Sequence, residues 1–289
     1  MNSGLVIVDK PADWTSHDVV AKMRRLAGTR RVGHAGTLDP MATGVLVIGV
    51  EKATRLLGHL ALTEKGYDAT IRLGQSTNTD DAEGEITASA SAAGVTDEAL
   101  AAGIAKLTGP IMQTPPQVSA IKVNGERAYK SARKGEQVEL KERPVTVPEF
   151  TVTAVRRHGD LVDVDASIAC SSGTYIRALA RDLGADLGCG GHLTYLRRTR
   201  VGPYDLTMAR TLEQLAEEMA ILPIGDAVAA AFPRRDVTEE DARKVMHGGR
   251  LPAAGLGPGP IGVFAPDGTL LSLVEEQGKV AKPLAVFVS

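Results

Sequence analysis

The chain has 289 residues, of which 43% are hydrophobic and 24% are charged, and its formal net charge is −2. The hydrophobic fraction suffices for a substantial core and excludes wholesale disorder, and no apolar run approaches the length that spans a bilayer. The two cysteines, Cys170 and Cys189, exclude a disulfide framework and favour a cytoplasmic setting, and no Cys/His spacing indicates a metal site.

Hydrophobic patterning predicts strands and helices that alternate along the chain. In chain order, the predicted strands span residues 5–8, 45–50, 67–73, 145–156, 161–168, 261–264, 270–274 and 284–288. The predicted helices are a segment capped by Thr15 or Ser16 and ending at Gly28, then residues 99–107, 174–187 and 239–246. Short links permit antiparallel pairing of the strands, which favours an α+β architecture over a doubly wound one.

Basic residues are concentrated in three stretches, although the net charge is slightly negative. Phosphate contacts depend on a local basic face rather than on the total charge. The stretches are Arg24, Arg25, Arg30 and Arg31; Lys122, Arg127, Lys130, Arg133, Lys134, Lys141 and Arg143; and Arg197, Arg198 and Arg200. A single stretch is usually a solvated surface, and the three together leave both a solvated surface and an RNA-binding face open.

Residues 33–46, GHAGTLDPMATGVL, place one carboxylate in a glycine-punctuated loop directly before an apolar strand. The carboxylate is that of Asp39, and residues 36–44 are referred to below as the Asp39 loop. The glycines allow backbone conformations closed to other residues, and Pro40 stiffens the chain after the acid. Such a loop on a buried strand is a rigid mount for one reactive group, whereas an Asp-Pro pair alone often only opens a turn.

Residues 33–46 closely resemble the nucleophile motif of the TruB-type pseudouridine synthases, which isomerise uridine 55 in the T arm of tRNA. Further blocks of the chain resemble motifs of the same family, in the same order, between residues 4 and 205. These blocks are GLVIVDKP at 4–11, KGY at 65–67, RLG at 72–74, TNTDDAEG at 77–84, GTYIR at 173–177 and GHLTYLRR at 191–198. One departure is Asp13, where family members commonly have glycine.

The resemblance implies a reaction that breaks the C1′–N1 bond of uridine, turns the base and joins C1′ to C5. Nothing is oxidised or transferred from outside, so no cofactor is expected. Asp39 matches the nucleophile, which is effective only when ionised. Burial under a base favours the neutral acid, and the matching arginine, Arg177, opposes this by forming two hydrogen bonds to the carboxylate. Attack at C1′, attack at C6 and elimination to a glycal all stay open.

The resemblance also implies how the uridine is held after it leaves its stack. Tyr67 matches the tyrosine that stacks on the flipped base, and its hydroxyl is placed to assist removal of the C5 proton. Tyr175 and Leu196 match residues that line the uracil pocket. His34 matches a histidine that fills the space vacated by the base, and Lys10 supports the site. From the residues alone, each would be an ordinary core or surface residue.

The implied architecture is the pseudouridine synthase catalytic fold, a mixed and largely antiparallel sheet flanked by helices. It would occupy residues 1–232, with an RNA-clasping insertion at about 115–143. Residues 233–289 would form a small β-rich domain that resembles PUA RNA-binding domains, or a simple stabilising cap. The expected partner is the T-arm stem-loop of tRNA, bound by a cytoplasmic monomer with no protein partner.

Three other functions compete with this interpretation. The chain could be a tRNA-folding chaperone in which base flipping, rather than isomerisation, is the main role; replacing Asp39 would then leave its function intact. It could be a guide-RNA-dependent synthase, which the basic segment 115–143 disfavours. A purely structural domain would make the ordered motif matches a coincidence.

Overall fold

The computed structural model describes residues 3–117, 122–123, 126–127 and 140–288. Most of the predicted RNA-clasping segment, 115–143, and the basic residues Lys130, Arg133 and Lys134 lie outside the described residues. The chain divides into two compact units. The first unit comprises Met1–Leu38, Val45–Ala61 and Val201–Ser289, and the second comprises Asp39–Gly44 and Leu62–Arg200. Within the described ranges, no helix is both long and apolar enough to cross a membrane.

The predicted α+β class is confirmed. The helices are Ser16–Leu26, Leu57–Ala61, Asp97–Lys106, Ile176–Asp186, Leu212–Glu217, Ile224–Ala231 and Glu239–Met246, with a 3₁₀ helix at Glu51–Leu56. The strands up to Cys170 are Gly4–Lys10, Val32–Ala35, Thr43–Val50, Lys65–Leu73, Gln75–Thr77, Ile86–Ser89, Gly109–Gln113, Lys122–Val123, Glu126–Arg127, Arg143–Val147, Glu149–His158 and Leu161–Cys170. The later strands are Gly191–Val201, Tyr204–Asp205, Leu222–Pro223, Arg234–Asp236, Leu251–Pro252, Pro260–Phe264, Leu270–Gln277 and Val280–Val286.

The second unit is built on an antiparallel sheet. Its strands follow the order Glu149–His158, Leu161–Cys170, Lys65–Leu73 and Gly191–Val201. The central pair is in register from Val162 opposite Leu73 to Cys170 opposite Lys65. Inward side chains alternate with outward ones along Lys65–Leu73, as expected for a sheet that covers a core on one face.

The strand predicted at residues 145–156 is wrong in its extent, because the structure forms two strands there. Arg143–Val147 pairs with Gly109–Gln113, and Glu149–His158 pairs with Leu161–Cys170. Pro148 separates them, since proline has no N–H to continue a ladder of hydrogen bonds.

The helix Ile176–Asp186 begins two residues later than the predicted start at residue 174. Its N-cap is Tyr175, whose side chain makes no capping hydrogen bond. The buried amide of Gln113 fixes the backbone of the N-cap residue: its Oε1 accepts from the Tyr175 N–H at 2.8 Å, and its Nε2 donates to the Tyr175 carbonyl at 3.1 Å. The helix buries Leu179, Ala180 and Leu183, as its periodicity predicts.

In the first unit, the helix Ser16–Leu26 starts where the sequence predicts. Thr15 is the N-cap and forms a capping box with Asp18. Val19 and Met23 are fully buried on the inner face. The helix ends at Leu26, two residues before Gly28, which adopts φ +60° and turns the chain.

The predicted β-rich C-terminal region is confirmed as a five-stranded sheet. Its order is Arg234–Asp236, Pro260–Phe264, Leu270–Gln277, Val280–Val286 and Leu251–Pro252. The helix at 239–246 has the predicted bounds. The last strand lies at Val280–Val286 instead of 284–288, because Gln277 and Val280 pair directly around a short turn, and Pro283 obscures the alternating pattern.

The C-terminal region shares a core with the rest of the first unit. Phe264 and Phe287 belong to the same buried cluster as Leu5, Val47 and Val228. Burial of such side chains contributes roughly 1.5–3 kcal/mol each, so this region is integral to the stability of the first unit.

Replacing Tyr204 with phenylalanine should lower the free energy of unfolding by about 1–2 kcal/mol. The Tyr204 hydroxyl is fully buried and donates to the Ala227 carbonyl at 2.7 Å, and burial raises the pKa of Tyr204. The substitution leaves that carbonyl without its donor. Urea unfolding measures the change, and Tyr195→Phe, at an exposed tyrosine, should leave the midpoint unaltered.

Candidate active site

The Asp39 loop is held at both ends by backbone contacts. In the first unit, the Ser16 hydroxyl accepts from the Leu38 N–H at 2.9 Å and donates to the Leu38 carbonyl at 3.2 Å, which fixes the residue before Asp39. In the second unit, Ala42 N–H closes a turn onto the Asp39 carbonyl at 3.1 Å. Gly44 then pairs with Arg198 in a parallel arrangement, so the loop ends on the sheet.

Asp39 and Arg177 form the predicted ion pair in the second unit. Arg177 Nε lies 3.0 Å from Asp39 Oδ2, and Arg177 Nη2 donates to Asp39 Oδ1 at 3.3 Å. The arginine side chain is 6% exposed, whereas that of Asp39 is 36% exposed. A buried guanidinium therefore contacts both oxygens of a carboxylate that remains accessible from outside.

A second carboxylate, that of Asp81, also faces Arg177. Arg177 Nη1 lies 3.4 Å from Asp81 Oδ2 and donates to the Thr79 carbonyl at 2.8 Å. Asp81 is almost fully buried, and its Oδ1 accepts from the Thr79 hydroxyl at 2.6 Å and from the Glu83 N–H at 3.1 Å. The sequence identifies the block 77–84 as a motif but assigns no role to Asp81. The contact between Asp81 and Arg177 is therefore one that only the structure reveals.

Glu83 lies close enough to these acids for their charges to act on it. Burial, followed by the charge of Asp81, raises the pKa of Glu83, and Asp39 acts in the same direction. Arg177 lowers the pKa of Glu83 only as a smaller effect. The acids 39, 81 and 83 therefore form one electrostatic cluster around Arg177.

Tyr67 is buried on the strand Lys65–Leu73, and the charge of Asp39 reaches it. Burial raises the pKa of Tyr67, the charge of Arg198 and a hydrogen bond from it act in the opposite direction, and Asp39 adds to the rise. The phenol therefore keeps its proton at neutral pH. Arg198 is almost fully buried beside it, a contact that sequence reasoning missed because it assigned Arg198 to a basic surface stretch.

Lys65 should make the stability of the protein increase with pH above about 8. Its buried ammonium donates to the Thr63 carbonyl at 2.8 Å, and burial, reinforced by Arg198, lowers its pKa to about 8 from 10.5. The folded state therefore loses this proton before the unfolded state does, so the free energy of unfolding rises between pH 8 and 10.5.

Urea unfolding of wild type and Lys65→Met at a series of pH values measures this effect. The free energy of unfolding of the variant, relative to that of wild type, should be highest below pH 8. This difference should fall by up to a few kcal/mol toward pH 10. Cys170, whose pKa burial raises to about 11, is present in both proteins. A difference between the two proteins that is constant with pH would contradict the prediction.

The remaining predicted residues divide between the two units. Tyr175 and Leu196 belong to the second unit with Asp39, where Tyr175 is partly buried and Leu196 is buried. His34 belongs to the first unit, where its ring stands edge-on to that of His17 with centroids 5.7 Å apart.

Lys10, also in the first unit, is fully buried and fixes a neighbouring turn. Its ammonium donates to the Pro11 carbonyl at 2.8 Å and to the Trp14 carbonyl at 2.6 Å. Asp13 in this turn has φ +65°, a conformation that favours glycine. The turn therefore keeps the geometry of a glycine despite the departure from the family pattern.

Three family models match successive parts of the chain. The model described as "TruB family pseudouridylate synthase (N terminal domain)" matches residues 24–176. Models described as "tRNA pseudouridylate synthase B C-terminal domain" and "tRNA Pseudouridine synthase II, C terminal" match residues 177–227 and 232–288.

Two relatives match this chain over nearly its whole length. A protein of Thermobifida fusca named tRNA pseudouridine synthase B is 64% identical, with 99% of each chain covered. A protein of the same name from Arthrobacter sp. is 61% identical, with 99% of this chain and 97% of the relative covered. The chain therefore belongs to the TruB family of pseudouridylate synthases, and it is an isomerase.

Two solved structures share the fold at lower identity. A chain of an H/ACA RNP bound to a substrate RNA containing 2′-deoxyuridine is 25% identical, with a TM-score of 0.74 over 99% of this chain and 85% of that chain. A chain of a Cbf5-Nop10-Gar1 complex is 27% identical, with a TM-score of 0.74 over 99% of this chain and 84% of that chain. The fold of this chain is therefore shared with chains that belong to larger complexes.

Proposed function

We propose that this enzyme isomerises uridine 55 in the T arm of tRNA, with Asp39 as the nucleophile on a flipped-out base. Relatives named tRNA pseudouridine synthase B, covering nearly the whole chain, support tRNA as the substrate. The observation that carries the proposal is the ion pair of Asp39 with the buried Arg177.

The ion pair gives each partner a part in the reaction. Arg177 stabilises the ionised form of Asp39 and orients both of its oxygens, while the exposed side of the carboxylate meets the substrate. The N1–C1′ bond breaks, the uracil turns, and C5 bonds to C1′. C5 then loses its proton, and N1, which carries none in uridine, gains one. Any bond formed to Asp39 is broken before the product leaves, so atoms and electrons balance without a cofactor.

Extrusion of the uridine costs on the order of a few kcal/mol, which contacts to the base and phosphates must offset. Tyr67 would supply a ring for stacking, and its protonated hydroxyl would assist removal of the proton from C5. Tyr175 and Leu196 complete an apolar wall around the base. His34 occupies the vacated position in the RNA, and Lys10 holds the turn that precedes the helix Ser16–Leu26.

The two predicted domains would have separate roles. We propose that residues 1–232 carry the reaction and that the segment 115–143 clasps the RNA. Residues 233–289 would act chiefly as a stabilising cap, which the core shared by Phe264 and Phe287 with Leu5 supports. The enzyme would work as a cytoplasmic monomer on free tRNA.

The test maps pseudouridine at single-nucleotide resolution in an unmodified tRNA transcript, after incubation with wild type or Asp39→Ala. Product at the T-arm uridine with wild type only would support both the substrate position and the nucleophile. Asp68→Ala is the matched control, because Asp68 is exposed on the strand that carries Tyr67 and should leave the reaction unchanged. Product with Asp39→Ala would remove Asp39 from its role. Faster tRNA folding with no product from wild type would favour the chaperone.

A further inference from the structure

Arg181 lies one helical turn after Arg177 and contacts three segments of the second unit. Its Nη1 donates to Asp80 Oδ2 at 3.2 Å, its Nη2 donates to the Thr114 carbonyl at 2.7 Å, and its Nε donates to Asp182 Oδ1 at 2.9 Å. The Asp80 side chain is only 15% exposed. Burial raises the pKa of Asp80, and the charge of Arg181 opposes that rise. The contact therefore favours the ionised carboxylate where burial disfavours it.

Asp80 has φ +61°, which is unusual for a residue with a side chain. Such a conformation costs on the order of 1–3 kcal/mol and persists only where the surroundings enforce it. The residues on either side of Asp80 supply two of the partners of Arg177, the Thr79 carbonyl and the Asp81 carboxylate. If the Asp80 backbone relaxed, both partners would move relative to the guanidinium.

Other contacts hold the backbone of this turn, and the Asp80 N–H donates to the Thr77 carbonyl at 3.3 Å. The Leu193 N–H donates to the Asp80 carbonyl at 3.1 Å, and the Thr77 hydroxyl donates to the Asp81 carbonyl at 2.7 Å. These bonds restrain the backbone on both sides of Asp80, but they do not hold its carboxylate. The Asp80 side chain is held by Arg181, which ties it to the helix that carries Arg177.

We infer that Arg181 is a positioning residue that acts through Asp80, holding the turn at 79–81 so that Arg177 presents its guanidinium correctly to Asp39. The inference rests on the proposed function, because its consequence is the rate of isomerisation. Arg181 would act on Asp39 through Asp80 and Arg177, which makes it a positioning residue rather than a catalytic one.

Arg181→Met should lower the single-turnover rate of pseudouridine formation by about tenfold, because the strained turn can then relax. The Kd for tRNA should stay within about twofold, since the change lies in the geometry of the reacting groups. A general loss of folding would instead lower the fraction of active protein in both measurements. Circular dichroism and the unfolding midpoint verify that the variant is folded.

Rescue by glycine separates positioning from a merely structural role. Glycine adopts φ near +60° without a side-chain penalty, so Asp80→Gly should make the Arg181 contact dispensable. The double variant Asp80→Gly/Arg181→Met should therefore recover most of the wild-type rate. Failure of the double variant to recover would overturn the inference, as would a wild-type rate for Arg181→Met alone.

The control is Arg157→Met, which removes an arginine that donates to the Val95 carbonyl and to Asp97 in the same unit. It should retain the wild-type rate. Asp39→Ala, measured in parallel, distinguishes failure of the proposed function from failure of the inference about Arg181. If wild type forms no pseudouridine, the proposed function fails. If wild type and Arg181→Met are both fully active while Asp39→Ala is inactive, then only the inference about Arg181 fails.

Discussion

Replacing Arg177 with lysine should reduce the single-turnover rate of isomerisation by about a hundredfold or more. The guanidinium contacts both oxygens of Asp39, the Thr79 carbonyl and the Asp81 carboxylate at the same time. A lysine ammonium is a compact charge without the planar fork, so it would satisfy some of these partners and leave the others buried without a donor. The rate is measured with enzyme in excess over tRNA, and Kd is measured separately.

A matched control exists in the same unit. Arg72 contacts Asp163 through two hydrogen bonds of 2.8 Å, from Nε and Nη2, in an arrangement similar to that of Arg177 with Asp39. Arg72→Lys should lower stability modestly and leave the rate of isomerisation near that of wild type. An equal loss of rate in both variants would show that the effect comes from disturbing the sheet rather than the site.

Replacing Gly44 with alanine should destabilise the protein by about 3–5 kcal/mol. Gly44 has φ +96°, and a Cβ there would lie 2.2 Å from the Arg198 carbonyl oxygen, a backbone atom that cannot move independently. The strand at this position must therefore shift away from its neighbour. Because the Asp39 loop ends on this pair, the surviving folded protein should also lose activity. Urea unfolding and single-turnover kinetics measure the two effects.

Gly109→Ala separates steric contact from backbone strain. Gly109 has φ +87°, close to that of Gly44, but a Cβ there meets nothing within 4 Å. Its replacement should cost only the strain of the conformation, about 1–2 kcal/mol. If the two variants lose equal stability, close approach to Arg198 is not the reason for the glycine at position 44.

The parts of the site that follow local sequence rules were predictable. The helix that carries Arg177 has a strong apolar periodicity, and the Asp39 loop combines two glycines with an Asp-Pro pair before a buried strand. The strand that carries Tyr67 alternates as a half-buried strand does. For these elements, local pattern and tertiary structure agree.

The contacts that depend on side chains from distant segments were not predictable. Asp81 and Gln113 are buried polar residues whose partners lie 62 residues or more away in sequence, at Arg177 and Tyr175. Nothing in their local pattern distinguishes them from surface residues, which these residue types usually are. Residues 145–156 were misjudged because their hydrophobic pattern continues through Pro148, where the hydrogen-bond ladder must stop.

The two carboxylates around Arg177 also set the sign of the local field. A single arginine paired with a single ionised aspartate has no net charge, so the pair attracts positive and negative groups of a bound molecule about equally. Two carboxylates and one guanidinium carry one net negative formal charge, and the charges of Arg177 and Asp81 are nearly fully buried, where charges are weakly screened. If the ribose develops positive charge as its bond to the base breaks, that charge would arise beside a group of side chains whose net charge is already negative.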